Sequence, residues 1–326
     1  MLRINLTAPL TAACALSFTL ACVPRAHGEP AARSADSAIE LTAAIAESPA
    51  STDARARANQ TPVWFSQAPA RPGDRVVQRL GVHLALATKI TQSGQIAHES
   101  TNEMRRQQQR TIRVLEVADD RAVKAEASFQ LSRRQSPENE TPDKLLPQVI
   151  EGKSYLATRQ GDDLSITDAA GGVPPAEELK LATESLETVG KPNPLAAALV
   201  NRRVAFGELI RVPRDVVQAL LGMSEPLGTV HRFELTLVRL EPASDAAGQV
   251  AVFMTDVEVR PNDVSPLSIS LHGELAIETE TCRLTSVDLA GPVQMSSVER
   301  TGGGVYNLSA GGELKLAIRS KYDRIE

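Results

Sequence analysis

The segment LGVHLALATKI, residues 80–90, alternates between large apolar or β-branched side chains and smaller or polar ones. Leu80 and Ile90 belong to the first set, whereas Gly81 and Lys89 belong to the second. Successive side chains of a β-strand point to opposite faces, so this period of two places every large side chain on one face. The segment therefore predicts a strand that is buried on one side only.

The same period recurs through the rest of the chain. Ser93-Gly94 and Asp119-Asp120 are typical of tight turns, and Gly161-Asp162 separates the two strands of a predicted hairpin. Gly273 predicts a bend or bulge inside Leu267–Ile277, which we expect to be the longest strand. The other predicted strands are Ile96–Met104, Thr111–Val117, Val123–Leu131, Tyr155–Thr158, Leu164–Thr167, Val204–Val212, Phe233–Leu237, Val250–Val259, Leu284–Leu289, Met295–Thr301 and Glu313–Tyr322.

Two kinds of segment interrupt this period. The polar run Arg133–Asp143 contains two prolines and predicts a loop. The glycines at 302–304 and 311–312 predict turns or bulges. They lack the strand-to-helix context that a phosphate-binding loop requires, so they do not indicate a nucleotide site.

The middle of the chain changes to a helical period. Pro174-Pro175 is followed by acidic residues, which favour a helix start near the positive end of the helix dipole. We predict a helix over Pro174–Val189, stopped by Gly190, with an apolar stripe that must pack against a sheet face. The stripe consists of Leu179, Ala182, Leu186 and Val189. Shorter helices are predicted at Pro194–Val200 and Pro213–Leu221.

Short connections join most of the predicted strands, which permits hairpins and excludes a doubly wound parallel sheet with a helix after each strand. The predicted fold class is α+β, mainly antiparallel β. We expect a curved sheet, a half-barrel or a sandwich, with two or three helices inserted at about residues 174–222. The β-rich domain is expected to span residues 61–326.

The amino-terminal segment has the features of an export signal. Arg3 and Arg25 flank a charge-free, largely apolar stretch that ends in small residues. Cleavage after Gly28 would leave residues 1–28 as a signal peptide. Alternatively, Thr19-Leu20-Ala21-Cys22 resembles a bacterial lipoprotein box, and Cys22 would then be acylated after removal of residues 1–21.

Residues 29–60 are rich in Ala, Ser, Thr, Pro, Glu and Arg, a composition typical of a flexible tether. A tether behind Cys22 favours the lipoprotein alternative. Under it, the protein would lie in the periplasm or at the outer membrane, and its lipid would be its only membrane contact. A secreted protein is the alternative localisation.

Cysteine usage is consistent with export. The three cysteines are Cys14, Cys22 and Cys282, and only the last lies in the expected domain. A lone thiol cannot form an intramolecular disulfide. Acidic neighbours at Glu278 and Glu280 are expected to raise the pKa of Cys282, so we interpret it as structural rather than nucleophilic.

Charge and aromatic content exclude several partners. Without residues 1–28 the chain carries 33 basic and 40 acidic residues, a net charge of −7. This acidity and the absence of a basic block argue against nucleic acid. Arg105-Arg106 and Arg133-Arg134 are interpreted as solvated pairs. Aromatic residues make up only 3% of the chain, which disfavours stacking platforms for sugars or bases.

No catalytic, cofactor or metal site is predicted. The histidines beyond the signal segment are His83, His98, His231 and His272, and none has a metal-ligand spacing to another. The one strand-face combination is His272 with Glu274, and His98 lies beside Glu99. No serine-hydrolase elbow occurs.

Four short motifs carry a resemblance to known proteins: G-K-S-Y at 152–155, V-A-F-G-E-L at 204–209, L-H-G-E-L-A-I at 271–277 and L-A-G-P-V at 289–293. Their order between residues 152 and 322 resembles exported bacterial proteins of unknown function, a resemblance that implies no activity. In architecture alone, the chain is similar to the half-barrel carriers that hold lipid or lipoprotein acyl chains in the periplasm.

Two classes of function follow. The first is a non-enzymatic binding or structural protein of the bacterial cell envelope, which holds an apolar ligand or a protein partner on a concave sheet. The second is an envelope hydrolase whose acids and histidines meet only in the fold. Small residues expected to face inward favour the first class; they are Ala85, Ala87, Ala125 and Ala127.

Overall fold

The computed structural model describes residues 61–135, 144–214, 216–217, 228–243, 248–262, 265–301 and 304–323. Within these ranges the strands are β1 Val63–Trp64, β2 Arg75–Gln92, β3 Gln95–Ala118, β4 Arg121–Arg134, β5 Leu146–Pro147, β6 Ser154–Gln160, β7 Asp163–Asp168, β8 Arg203–Val204, β9 Leu209–Arg211, β10 Thr229–Pro242, β11 Gln249–Arg260, β12 Leu267–Glu278, β13 Leu284–Thr301 and β14 Gly304–Asp323. The helices are α1 Ala176–Leu186 and α2 Pro194–Leu199.

Twelve of these strands form one antiparallel sheet, with the order β7-β6-β4-β3-β2-β14-β13-β12-β11-β10-β9 and β5 paired to β4 beside this path. Its two end strands, β7 and β9, do not pair with each other in the described part of the chain, so the sheet is open. Strands β1 and β8 form a separate two-stranded ribbon. The predicted fold class is confirmed, as a single open sheet rather than a sandwich.

The strands are longer than the sequence pattern predicts. Strand β3 runs without interruption over 24 residues and joins two predicted strands, and β13 likewise joins two. The expectation that Leu267–Ile277 forms the longest strand is therefore wrong, because β12 has 12 residues. The polar run in the middle of β3 hides its continuity from a hydrophobic pattern, although it is paired to both neighbouring strands.

The predicted strand Val204–Val212 is divided. Its first residue, Val204, belongs to β8, which pairs with β1, whereas Leu209–Arg211 form β9 and pair with β10. Gly207 lies between them with a φ of 77°, a left-handed conformation that glycine adopts without strain. The turn at this glycine directs the two halves to different sheets.

Helix α1 confirms the predicted apolar stripe at Leu179, Ala182 and Leu186, whereas Val189 lies three residues beyond the end of the helix and packs in the same core. It begins after Pro175, with Glu177 and Glu178 in its first turn, and it ends at Leu186. Ala182 and Leu186 are completely buried. Helix α2 also forms, with Asn193 as its N-cap: the side-chain oxygen accepts a hydrogen bond from Leu195 N at 3.0 Å. Residues 214, 216 and 217 are helical, and the rest of the predicted third helix lies outside the described residues.

The face of the sheet that carries the buried side chains is called the inner face below. A first core covers it from β2 through β14 to β10, with side chains from β1 and α2 packed on top. A second core lies where α1 packs on the other end of the sheet; it contains Ala125, Ala127, Phe129, Ile150, Tyr155, Ala157, Ile166, Ala182, Leu186 and Val189.

Several predictions concern segments outside the described residues. These are the signal segment with Gly28, the lipidation candidate Cys22, the tether 29–60, most of the loop Arg133–Asp143, and the glycines at 302 and 303.

Candidate functional site

An apolar furrow crosses the inner face of the first core. It encloses about 10 Å³, close to the space that one water molecule needs. Its walls come from five neighbouring strands, β2, β14, β13, β12 and β11, and every lining residue is aliphatic. The lining residues are Val82, Val257, Val259, Ile269, Leu271, Leu289, Leu314 and Leu316. An aliphatic wall without polar groups can hold a hydrocarbon but offers no chemistry to a reacting group.

Glycines allow the strands to approach closely around this furrow. A Cβ atom on Gly273 would lie 1.9 Å from the carbonyl oxygen of Asp288, and one on Gly291 would lie 2.0 Å from that of Ser270. Gly273 keeps its register with both neighbouring strands, so the predicted bulge is absent there and the residue serves close strand approach. The register shift in β12 lies at Ala276/Ile277 instead.

Gly312 has the same role one strand further along. A Cβ atom there would lie 1.8 Å from the carbonyl oxygen of Ala85, whereas one on Gly311 would meet no atom within 4 Å. Both glycines pair in register with β13 and β2, so the predicted turn or bulge at 311–312 is wrong. Gly312 lies on the inner side of β14, and of the two glycines it alone has no room for a side chain.

A second layer covers one end of the first core. Phe65, just after β1, packs against Phe253 of β11 with ring centroids 5.9 Å apart. Ser66 N donates a hydrogen bond to Thr279 O at 2.9 Å. Asn193 Nδ2 donates one to Cys282 O at 2.7 Å. The layer is thus fixed near the turn between β12 and β13. Val257, which lines the furrow, lies four residues beyond Phe253 on β11.

A buried polar stripe separates the two cores. It lies on β3, where Arg106, Gln108 and Arg110 occupy successive inner positions and are each at most 7% exposed. Gln108 Nε2 donates to the hydroxyls of Ser132 and Ser185, at 3.4 Å each. The inner face therefore changes from aliphatic to cationic within one strand spacing.

Arg110 links this stripe to helix α1. Its Nε and Nη2 donate to Gln78 Oε1 at 3.0 and 2.6 Å, and its Nη1 donates to the carbonyl of Ser185. Burial, with a smaller contribution from the nearby charge of Arg106, lowers the pKa of Arg110 to about 10. Arg110 stays charged at neutral pH, with neutral oxygens as its hydrogen-bond partners.

Arg159 of β6 also binds main-chain carbonyls at the end of α1. Its Nη1 donates to Asp162 O at 2.8 Å and its Nη2 to Glu187 O at 2.6 Å, while Nε donates to Val189 O. The last carbonyls of a helix have no partner within the helix and carry its negative dipole charge. No basic residue lies in the last turn of α1, so arginines from the sheet supply the donors.

The histidines do not converge. His83 Nε2 lies 2.6 Å from Glu103, and His272 Nδ1 lies 2.8 Å from Asp256. His272 and Glu274 share the outer face of β12, as their spacing allows, but Glu274 binds Arg239 through both carboxylate oxygens and does not pair with the histidine.

Both histidine–acid pairs lie on the outer face of the sheet, opposite to the furrow. A row of directly paired residues runs from His272 through Ala290 and Lys315 to His83, a distance of three strand spacings or roughly 14 Å. Across the described residues, no group of three or more His, Cys, Asp or Glu side chains could hold a metal ion.

Cys282 is completely buried next to the turn that follows β12. Burial raises the pKa of its thiol to about 12. This cause differs from the predicted effect of acidic neighbours, but the consequence is the same, since a protonated buried thiol is a poor nucleophile.

The expected inward direction is wrong for two of the four small residues. Ala85 and Ala87 lie on the outer face of β2, because Leu84 and Leu86 take the inner positions. Ala125 and Ala127 do face inward, but they belong to the second core beneath α1. The predicted small lining of a hollow interior therefore does not exist at β2.

The two arginine pairs are also not uniformly solvated. Arg105 and Arg133 are 48% and 43% exposed and each pairs with a carboxylate. Arg106, by contrast, is 4% exposed. The signal for this difference was present in the alternation itself, since Arg106, Gln108 and Arg110 share the parity of Met104.

No protein-family model matches this sequence, and no curated protein matches it significantly. Similar solved structures include lipovitellin, in a study of its lipid–protein interactions, with 9% identity and a TM-score of 0.32, covering 78% of this chain and 26% of that chain. A LolA-superfamily protein of Nitrosomonas europaea has 10% identity and a TM-score of 0.14, covering 76% of this chain and 86% of that one. This chain thus spans about a quarter of the lipovitellin chain.

No helix in the described ranges is long and apolar enough to cross a membrane.

Proposed function

We propose that the protein is an exported, non-enzymatic binding protein of the bacterial cell envelope that holds an apolar ligand on the inner face of its open sheet. The observation that carries this proposal is the furrow with its entirely aliphatic lining. Each methylene group that leaves water for such a wall contributes about 0.8 kcal/mol. A hydrocarbon chain laid along five strands would gain affinity from many such contacts.

The small volume of the furrow defines how a ligand would enter. A space of about 10 Å³ is far smaller than a hydrocarbon chain, so the lining side chains must move apart on binding. Leu80 and Val82 are the half-buried side chains at its β2 border. We expect entry at this border, because the opposite end of the first core lies under the layer formed by β1 and α2.

No specific observation favours the hydrolase alternative. Its acids and histidines would have to meet in a cleft, but His83 and His272 lie apart on the outer face. A protein partner in place of a hydrocarbon remains an outcome of the binding test.

The test is saturable binding of N-phenyl-1-naphthylamine, a neutral apolar probe that becomes fluorescent away from water. The variant Val82→Phe places a ring at the furrow wall and is expected to weaken probe binding about tenfold, which corresponds to about 1.4 kcal/mol. Val77→Phe is the matched control, since Val77 lies on the outer side of the same strand and is also half-buried. Equal binding by both variants and the wild type, or no saturable binding at all, contradicts the proposal.

Export and lipidation form a separate part of the proposal. We expect Cys22 to be the acylated first residue of the mature protein, because a tether-like composition follows it. Intact mass of the protein from the membrane fraction should show a chain that starts at Cys22 and carries lipid. A lipid-free chain that starts at Glu29 would establish cleavage after Gly28 instead.

A further inference from the structure

We propose that the unpaired edge of β3 binds an extended peptide segment with basic side chains, supplied by another protein, as an additional antiparallel strand. The unpaired edge is the β4 side of residues 98–103. This proposal goes beyond the binding of an apolar ligand, because no residue that lines the furrow lies on β3.

The strand next to β3 covers only part of its length. Strand β3 has 24 residues, but its pairing with β4 starts at Arg106, which lies opposite Arg134. One further hydrogen bond, from Gln135 N to Arg105 O at 2.8 Å, ends this contact. On the other side, residues 98–103 pair in unbroken register with β2. In the described part of the chain, this segment of β3 therefore has a neighbouring strand on one side only.

The hydrogen bond of Arg105 shows which main-chain groups point to the unpaired edge. Its carbonyl is directed toward β4, so the alternation along a strand directs the main-chain groups of Glu103, Thr101 and Glu99 to the same side. Each of these three residues presents an N–H donor and a C=O acceptor there. Such groups are a template for a further strand, and an extended polypeptide offers donors and acceptors at the matching spacing. The chemistry of the edge therefore selects an extended peptide.

The side chains along the unpaired edge select the charge of that peptide. Thr101 lies opposite Ala87, which places Glu99, Thr101 and Glu103 on the outer face. Glu99 is exposed, and hydrogen bonds from Arg105 hold the pKa of Glu103 below its ordinary value, so that it stays ionised. Opposite charges on directly paired strand residues are stabilising, whereas like charges are destabilising. The net charge of −5 adds a long-range attraction for a basic partner.

The first experiment measures the binding of two fluorescent nine-residue threonine peptides to the full-length protein by fluorescence polarisation. One peptide has lysines at positions 3 and 7, which match the spacing of Glu99 and Glu103, and the other has glutamates there. We expect saturable binding of the lysine peptide, about tenfold tighter than that of the glutamate peptide. Methylation of the amide nitrogen at position 5, opposite Thr101, should abolish binding. Methylation at position 4 should be tolerated, because that amide faces away from β3.

Variants of the protein provide matched controls. Glu99→Lys should reverse the preference between the two peptides, whereas Glu241→Lys makes the same change of charge on the distant strand β10 and should retain it. Thr101→Pro removes an N–H group at the unpaired edge, so it should abolish peptide binding and leave the melting temperature close to that of the wild type. Asn102→Pro removes a donor to β2 instead and should lower the melting temperature.

The outcomes decide between occupants of the edge. Equal affinity for both peptides, or unchanged binding by Thr101→Pro, overturns the proposal. Equal losses of thermal stability in the two proline variants also overturn it, because Thr101 would then be paired within the sheet. A wild-type dimer in sedimentation that Thr101→Pro dissociates, without peptide binding, would assign the edge to a second copy of this chain.

The result is independent of the proposed function. Binding of N-phenyl-1-naphthylamine should be the same in Glu99→Lys, Thr101→Pro and the wild type, so a failure of the peptide site leaves the apolar carrier intact. If Thr101→Pro does not fold, Glu99→Lys decides, since it replaces an exposed side chain. An unchanged preference in Glu99→Lys would then overturn the proposal.

Discussion

The two halves of the inner face are closed in different ways. Beneath α1, small residues such as Ala125, Ala127 and Ala157 let the helix lie close to the sheet, and arginines from β3 and β6 bind the carbonyls at its end. Along the furrow, every lining residue comes from a strand, and no helix in the described part of the chain contributes to the walls. One half of the inner face thus uses polar groups to fix a covering helix, whereas the other half is packed from aliphatic strand residues alone.

The largest difference in stability between the two halves should come from introducing a carboxylate into each. Leu186→Asp introduces a carboxylate into the fully buried second core and should lower the free energy of unfolding by roughly 2–4 kcal/mol. Val82→Asp, at the half-buried border of the furrow, should cost less than half as much. Chemical denaturation measures both, and an unchanged stability of Leu186→Asp would contradict the packing of α1.

Two adjacent glycines of β14 test whether the strands around the furrow need a residue without a side chain. Gly312→Ala places a Cβ atom against the carbonyl of Ala85 and should destabilise the protein by about 1–3 kcal/mol. Gly311→Ala, where no atom lies within 4 Å, should stay within about 0.5 kcal/mol of the wild type. Similar melting temperatures for the two variants would show that close strand approach is not what requires Gly312.

The hydrogen bonds from Arg159 to the carbonyls at the end of α1 can be tested without removing the positive charge. Arg159→Lys keeps a cation but cannot reach three carbonyls at once, so we expect a loss of about 1–2 kcal/mol. Arg133→Lys is the control on a half-exposed ion pair and should cost at most about 1 kcal/mol. Thermal unfolding distinguishes them; equal shifts would mean that the helix end does not depend on the guanidinium fork.

The smallest effect concerns Cys282. Its pKa is raised to about 12 in the folded protein, so the unfolded chain loses the thiol proton first as the pH rises. Stability from this group is complete below the unfolded pKa, near 9, and is lost between there and about 12. At pH 10 the loss should be about 1 kcal/mol, and Cys282→Ala should show a correspondingly shallower decline with pH in urea titrations. The same variant should bind the apolar probe normally, because Cys282 does not line the furrow.

Hydrophobic periodicity, together with short connections between strands, was sufficient to predict the antiparallel fold and the helix stripe. Turns with residues that tolerate positive φ, such as Ser93-Gly94 and Asp119-Asp120, were also readable, and both are turns in the structure. Alternation failed on β3, since a strand that faces a polar stripe looks like a loop to a hydrophobic pattern.

The candidate site was harder to predict, because a furrow is a property of neighbouring strands. Val82 and Leu316 are far apart in sequence, and only the register brings them together. The same holds for Arg106 and Arg134, whose adjacent arginines point to the other face. The sequence shows only two pairs of adjacent arginines. Which arginine of each pair faces the inner side depends on the alternation of side chains along its strand.

The open ends of the sheet have a mechanical consequence. In a closed barrel the strand number and stagger set the diameter. Here β7 and β9 stay apart, so no such closure fixes the curvature. The curvature therefore depends on the twist of the individual strands and on the side chains that pack against the inner face.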